Sequence, residues 1–284
     1  LLEEVKNKLT WDDDALYFIR RHYLENSKKN ASAIEKSDQD SGIFEFLSPN
    51  FNGPSFHIIN LAKLDPDYND SRIFDNAIYN LRKKKAFILN LDFTMGGFQA
   101  KYILSEILKR VKNIKGVYIL GKAGSMEGNI GDVILPSFTY DCYNRNFFFY
   151  SNDLKSKYLK RYLRKGAIHE SHGMLTVFGV LLQNQSYLEH YFTQNLTGIE
   201  MEGGPYLSAV IEFINERRKL SGKLIQLAKK PFDFGIAYYV SDTPYHQGKS
   251  LGTLGRKGLE SVYALSIAVI NRILIKEASI KIEA

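Results

Sequence analysis

The sequence predicts an α/β fold around a largely parallel or mixed sheet. Three observations carry that expectation: short apolar runs bounded by turn residues, helix-length amphipathic segments between them, and glycine-rich stretches where candidate strands end. Up to about residue 40 the pattern is helical, with Leu16, Phe18, Ile19 and Tyr23 at mixed three- and four-residue spacings; the polar stretch Asn26–Gly42 reads as a loop. The chain then alternates: a short strand at Ile43–Phe46, a helix at Arg72–Leu81, a buried strand at Ala86–Leu91, a helix at Phe98–Val111 and a buried strand at Val117–Leu120.

Further on, Asp132–Leu135 and Asn146–Phe149 read as strands, Met174–Leu182 as a long apolar strand and Thr197–Met201 as a short one. A helix follows at Gly204–Arg217, then a basic segment, Lys219–Lys230, which reads as an exposed helical excursion. Phe234–Val240 is a buried strand, and Leu251–Leu274 a long closing helix with Ala264, Ile267, Ile270 and Ile273 spaced for one face. No internal repeat or low-complexity tract interrupts this order.

The chain of 284 residues is 44% hydrophobic and 13% aromatic, which supports a buried core and excludes a disordered or fibrous class. No run approaches the roughly 18 apolar residues of a membrane helix, since Leu265–Ile275 is broken by Asn271 and Arg272. A soluble, cytoplasmic protein without a membrane partner is the expectation; one cysteine, Cys142, suits a reducing compartment. The start at Leu1-Leu2, with neither methionine nor a secretory leader, reads as a trimmed segment.

A net charge of +7 favours anionic ligands. Much of it lies in Lys83-Lys84-Lys85 and in Lys157, Lys160, Arg161, Arg164 and Lys165, which read as solvated helix faces. No nucleic-acid module is present. His169 and His172 lack further ligands of metal-site spacing, so neither a metal nor a cofactor is expected, and His246 reads as a loop residue that can line a pocket.

In α/β sheets ligands bind beyond the carboxyl ends of strands, and there the sequence concentrates its chemistry. Ala86–Leu91 runs into Asp92-Phe93-Thr94-Met95-Gly96-Gly97, and Val117–Leu120 into Gly121-Lys122-Ala123-Gly124-Ser125. Each glycine stretch is open to two readings, a plain tight turn or an anion cradle in which backbone amides approach phosphate; Lys122 sharpens the second. Gly198-Ile199-Glu200-Met201-Glu202-Gly203-Gly204 sets two carboxylates at a strand end before a helix, suited either to paired sugar hydroxyls or to a structural ion pair. If Met201 points one way, extended-chain alternation sends both glutamates the other. Asp242 ends the run Phe234–Val240 and is either an N-cap or a proton donor whose pKa is raised by burial.

In this order the motifs resemble the nucleoside phosphorylase/nucleosidase superfamily, which includes purine nucleoside phosphorylase, uridine phosphorylase, methylthioadenosine nucleosidase and AMP nucleosidase, over roughly residues 85–275. Thr94-Met95-Gly96-Gly97 looks like its glycine motif, Gly121-Lys122-Ala123-Gly124 with Gly131-Asp132-Val133 like its phosphate loop and following strand, Glu200-Met201-Glu202 like its ribose motif, and Tyr239-Val240-Ser241-Asp242 like the strand bearing its purine-binding aspartate. The resemblance implies a single three-layer α/β/α domain around a mixed, partly barrel-like central sheet at 41–284, after a helical extension at 1–40.

It further implies that Glu202 binds the ribose hydroxyls, Met201 packs under the sugar, Asp242 acts on purine N7, Phe178 stacks on the base and Arg256 assists Asp242, each of the last two having an equally plain structural reading. Gly96, Gly97, Gly121, Lys122, Ala123 and Gly124 would line the substrate and anion sites; apart from the resemblance, Glu200 is a candidate for activating water. Ile119 and Lys122 depart from the phosphorylase pattern, and the first 84 residues lack its glycine-arginine phosphate motif, with Asn52-Gly53-Pro54 and His57 as the stand-ins. These departures favour a nucleosidase acting on a purine nucleoside or nucleotide. A phosphorylase using inorganic phosphate at a rebuilt site and an inactive nucleotide-binding or sensor domain stay open; a homo-oligomer is implied by the resemblance.

Overall fold

The computed structural model describes residues 31–48, 53–68, 70–92, 96–179, 184–215, 224–227, 230–244 and 256–279. The chain divides into two compact units, Leu1–Thr94 with Ile270–Ala284, and Met95–Val269.

In the first unit, helix α1 (Ala31–Asp40) precedes three antiparallel strands, β1 (Ile43–Phe46), β2 (Ser55–Asn60) and, after helix α2 (Asp75–Leu81), β3 (Phe87–Asp92), in the order β1-β2-β3. Part of the stretch read as a loop is therefore helical. The strand predicted at Ala86–Leu91 forms, but at the edge of the sheet and not buried, with Phe87 60% exposed. The core is Leu61, Ala77, Ile78, Leu81 and Leu274. Helix α2 begins three residues later than predicted, at Asp75, and its cap residue Phe74 offers no side-chain acceptor. Asn271 supplies it, accepting the Phe74 N–H at 2.9 Å and donating to the Arg72 carbonyl at 2.8 Å.

The second unit holds helix α3 (Gly97–Arg110), strands β4 (Gly116–Ser125), β5 (Val133–Leu135), β6 (Phe138–Asp141) and β7 (Asn146–Tyr150), helix α4 (Ser156–Leu159), strands β8 (Ile168–Glu170) and β9 (Gly173–Thr176), and helix α5 (Gln185–Phe192). Strand β10 (Leu196–Glu200), helix α6 (Gly203–Ile214), strands β11 (Leu224–Leu227) and β12 (Asp233–Asp242), and helix α7 (Arg256–Ala278) complete it, α7 passing into the first unit from Ile270. Among the described residues nine strands form one mixed sheet in the order β11-β7-β6-β9-β10-β4-β12-β5-β8. Its pairs β12/β4 and β9/β10 are parallel, whereas β10/β4 and β6/β7 are antiparallel.

Three predicted elements change. The apolar run from Met174 ends as strand at Thr176; residues 180–183 lie outside those described. Within the basic segment Lys219–Lys230, Leu224–Leu227 is a strand and not a helix, because β7 offers a parallel partner that local charge does not announce. The glycine-rich stretch Gly121–Ser125 does not turn but continues β4, held extended by β12 from Tyr238↔Gly121 to Asp242↔Gly124.

Helix α6 is apolar on almost every side, which marks a buried helix, and Leu207, Ala209, Val210 and Ile211 join β4, β12 and α3 residues in the main core. Among the described residues no helix is long and apolar enough to cross a membrane. The central strand β9 tolerates no side chain at Gly173, where a Cβ would lie 2.4 Å from the Phe138 ring and 2.6 Å from the Asn195 carbonyl oxygen. Gly173→Ala is expected to cost about 1–3 kcal/mol, read as a lowered calorimetric Tm.

Candidate functional site

Strand β4 separates the two acidic segments. Gly124 pairs with Ile199 of β10 on one side and with Asp242 of β12 on the other. Two interstrand spacings of about 4.8 Å set those flanking backbones about 10 Å apart. The glycine at 124 keeps the gap open: a Cβ there would lie 3.2 Å from Asp242 Oδ2. Asp242 thus leans over β4 toward the β10 side.

The two oxygens of Asp242 differ. Oδ1 accepts the Ser241 hydroxyl at 2.6 Å, whereas Oδ2 is buried with no hydrogen-bond partner among the described residues. Asp242 is only 4% exposed. Leaving a buried carboxyl oxygen unmatched costs about 1–3 kcal/mol or more, so the arrangement suits a polar atom brought from outside, a donor facing the ionised carboxylate or an acceptor facing its protonated form.

On the β10 side the chain bends after Glu200 and enters α6. One oxygen of Glu202 accepts the Gly96 amide at 3.3 Å. Gly96 and Gly97 open α3 so close to this bend that a Cβ at Gly97 would lie 2.8 Å from the Met201 carbonyl oxygen and 3.1 Å from the Tyr143 ring. Burial pushes the Glu202 carboxyl upward, offset in part by the Gly96 and Met201 amides and by the charge of Lys122. Met201 packs against the Leu175 and Val177 cluster, its methyl beside Gly179.

An aromatic group borders Glu202. The rings of Tyr143 and Phe178 lie 4.1 Å apart, and Phe98 meets Tyr143 edge-on at 5.2 Å. Phe178 is 42% and Phe98 57% exposed, so both offer ring surface to solvent. Burial and the neighbouring Glu202 charge both push the Tyr143 hydroxyl upward. Tyr143 is held by the β6–β7 turn, where buried Asp141 accepts its amide at 2.9 Å and the Asn144 side chain at 2.8 Å.

The sequence offers Glu200 as a candidate for activating water. It is buried and engaged on both oxygens: Oε1 accepts the Thr176 hydroxyl, and Oε2 accepts the amides of Glu202, at 2.7 Å, and of Gly203. Its carboxylate anchors the start of α6.

Gly96, Gly97, Met201, Glu202 and Phe178 come together, with Lys122 close enough for its charge to act on Glu202. Gly121, Lys122, Ala123 and Gly124, expected as an anion cradle, lie in extended strand, where successive amides point to opposite sides and the run pairs with β12. They form a floor between the two acidic segments, with Lys122 as an exposed cation. Arg256 opens α7, its side chain outside those described, and Asn52, Thr94, Met95 and His246 lie outside the described residues. His57 belongs to the three-stranded sheet, where it faces Glu45 and Asn90. Sequence reasoning missed Tyr143 and Thr176. No local pattern marks them; strand register and the β6–β7 turn bring them in.

The nine-stranded mixed sheet and its helices are similar in fold to solved nucleosidases. The Neisseria meningitidis 5′-methylthioadenosine/S-adenosylhomocysteine nucleosidase, solved with methylthio-immucillin-A, has a TM-score of 0.54 at 12% identity, covering 84% of this chain and 94% of its own. The Streptococcus pneumoniae MTA/SAH nucleosidase with 8-aminoadenine scores 0.53 at 11% identity, covering 85% and 96%. The Colwellia psychrerythraea MTA/SAH nucleosidase with adenine scores 0.50 at 12% identity, covering 85% and 90%. Within that fold the chain belongs to the Family of unknown function (DUF6909), whose model matches residues 2–275. A comparison with curated proteins finds no match.

Glu200 makes the site's anchor sensitive to pH. Burial raises its carboxyl from 4.5 to about 7, with the Glu202 charge adding to the rise and the Thr176 and backbone donors opposing it. A folded-state value above the unfolded one gives stability that is complete below about pH 4.5 and lost as pH rises through about 7. At about 1.4 kcal/mol per pH unit the whole effect is about 3 kcal/mol. Denaturant unfolding at about pH 5 and pH 8 is expected to show the parent losing stability across this interval, and Glu200→Gln losing less.

Proposed function

We propose that the chain hydrolyses the N-glycosidic bond of a purine nucleoside or nucleotide. The observation that carries this reading is the free, buried Oδ2 of Asp242, held beside a strand floor whose other side bears Glu202. As the bond from C1′ to N9 breaks, its electron pair enters the purine and charge develops at N7. A carboxyl facing N7 lowers that barrier by donating a proton or hydrogen bond, while water adds at C1′ and gives its proton to bulk water, from which the carboxyl regains its own. Ser241 fixes the Asp242 rotamer from the opposite oxygen.

Glu202 suits the sugar, because a carboxylate accepts from the 2′- and 3′-hydroxyls together. Exposed rings at Phe178 and Phe98 give the base an apolar face. The ligands of the similar structures, methylthio-immucillin-A, 8-aminoadenine and adenine, fit this chemistry, and adenine-bearing substrates are the first to test. Water is favoured over phosphate as the nucleophile because Gly121–Gly124 is extended strand and supplies no nest of converging amides.

Chromatographic base release across purine and pyrimidine nucleosides and their phosphates is the direct test. Free ribose or ribose 5-phosphate beside the base is the expected product. Ribose 1-phosphate formed only with added phosphate points to phosphorolysis instead, and no release from any substrate overturns the reading. Asp242→Asn is expected to lower kcat by about 10²–10⁴. Glu202→Gln should raise KM for ribonucleosides far more than for 2′,3′-dideoxy counterparts; equal effects on both would remove the sugar-binding role.

A further inference from the structure

Two carboxylates stand at the start of α6, but only one is held away from the helix. A helix begins with backbone amides that lack intrahelical acceptors and with a partial positive charge, so an acid at the cap position tends to fold back onto them. Glu202 occupies that cap position, yet its side chain makes no capping hydrogen bond. The amides are already taken: Glu200 Oε2 accepts those of Glu202 and Gly203, and Thr176 Oγ1 accepts that of Gly204 at 2.9 Å. The Thr176 hydroxyl in turn donates to Glu200 Oε1, which joins the two acceptors into one unit.

From this geometry we infer that Thr176 and Glu200 together are positioning residues, which occupy the first amides of α6 so that the Glu202 carboxylate is kept off its own helix and turned toward the ligand. The unit is built by strand register, since Glu200 pairs with Thr176 across the parallel strands β10 and β9. The Val177 amide, donating to the Glu200 carbonyl at 2.9 Å, locks the same crossing. Both side chains are buried, so water does not compete for the amides. Gly203 gives the unit its room, because a Cβ there would lie 2.9 Å from Glu200 Oε1 and 2.6 Å from the Tyr238 hydroxyl. Relieved of capping, Glu202 reaches across to the Gly96 amide.

This inference rests on the proposed role of Glu202 in holding a sugar, and it separates from a purely structural role by ligand. Thr176→Val removes the acceptor for the Gly204 amide and the donor to Glu200 while keeping the side-chain shape, so Glu202 gains an unfilled amide to fold back on. Titration calorimetry with adenosine, 2′,3′-dideoxyadenosine and adenine, alongside Tm, reads the outcome. Thr176→Val is expected to weaken adenosine about five- to tenfold, the worth of one capping hydrogen bond, to leave adenine and the dideoxynucleoside within about twofold, and to be rescued by Thr176→Ser.

Equal weakening of all three ligands, or none, overturns the inference alone. If Thr176→Val does not fold, Glu200→Gln is carried through the same titrations, with the same selective loss of adenosine expected and the same two outcomes overturning it. Wild-type protein that binds neither adenosine nor adenine overturns the functional reading, and the inference with it.

Discussion

The site depends on one strand having a neighbour on each side at the same residue. Gly124 is paired with β10 and with β12, so the backbones that carry the two acidic segments are held at a separation set by sheet geometry and not by side-chain flexibility. The pairing requires β4 to run extended through Lys122, Ala123 and Ser125. It also requires position 124 to lack a side chain, since the space a methyl would take is the approach to Asp242. The frame of the candidate site is thus laid across hydrogen-bonded strands, a stiff support.

Around this frame the start of α6 concentrates negative charge. Asp141, Glu200 and Glu202 all lie near its first turn, close enough to Gly204 or Gly203 that a side chain at either glycine would strike Asp141 or Glu200. A helix N-terminus offsets part of the repulsion, and each buried acid is satisfied by amides, a hydroxyl or an amide side chain. Asp242, across β4, keeps one oxygen unsatisfied. That asymmetry sets Asp242 apart from the acids that hold the start of α6.

Much of the fold is legible in local sequence because its elements are strongly patterned. The apolar run Phe234–Val240 and the segment Phe98–Val111 form the strand and helix that their spacing predicts. Gly121–Ser125 misleads because glycine and lysine favour a turn locally, whereas β12 supplies a long parallel edge that holds the stretch straight. Leu224–Leu227 hides in a basic segment for a similar reason, its partner β7 lying far back in the chain. In the site, Glu202 and Asp242 stand out as acids at strand ends, but the contrast between Glu202 and Glu200 does not. It arises from Thr176, twenty-four residues upstream of Glu200, which only the β9/β10 register brings alongside.

The bond from Asn271 to the Phe74 amide spans 197 residues of chain. Its unit is assembled from two stretches separated by the whole of the other unit, with Leu274 sharing a core with Leu61, Ile78 and Leu81. During synthesis on the ribosome the early segment therefore emerges without the helix that finishes it. The intervening unit has its own core and is free to form first, whereas the outer unit must wait for the segment from Ile270 and close a long loop afterwards.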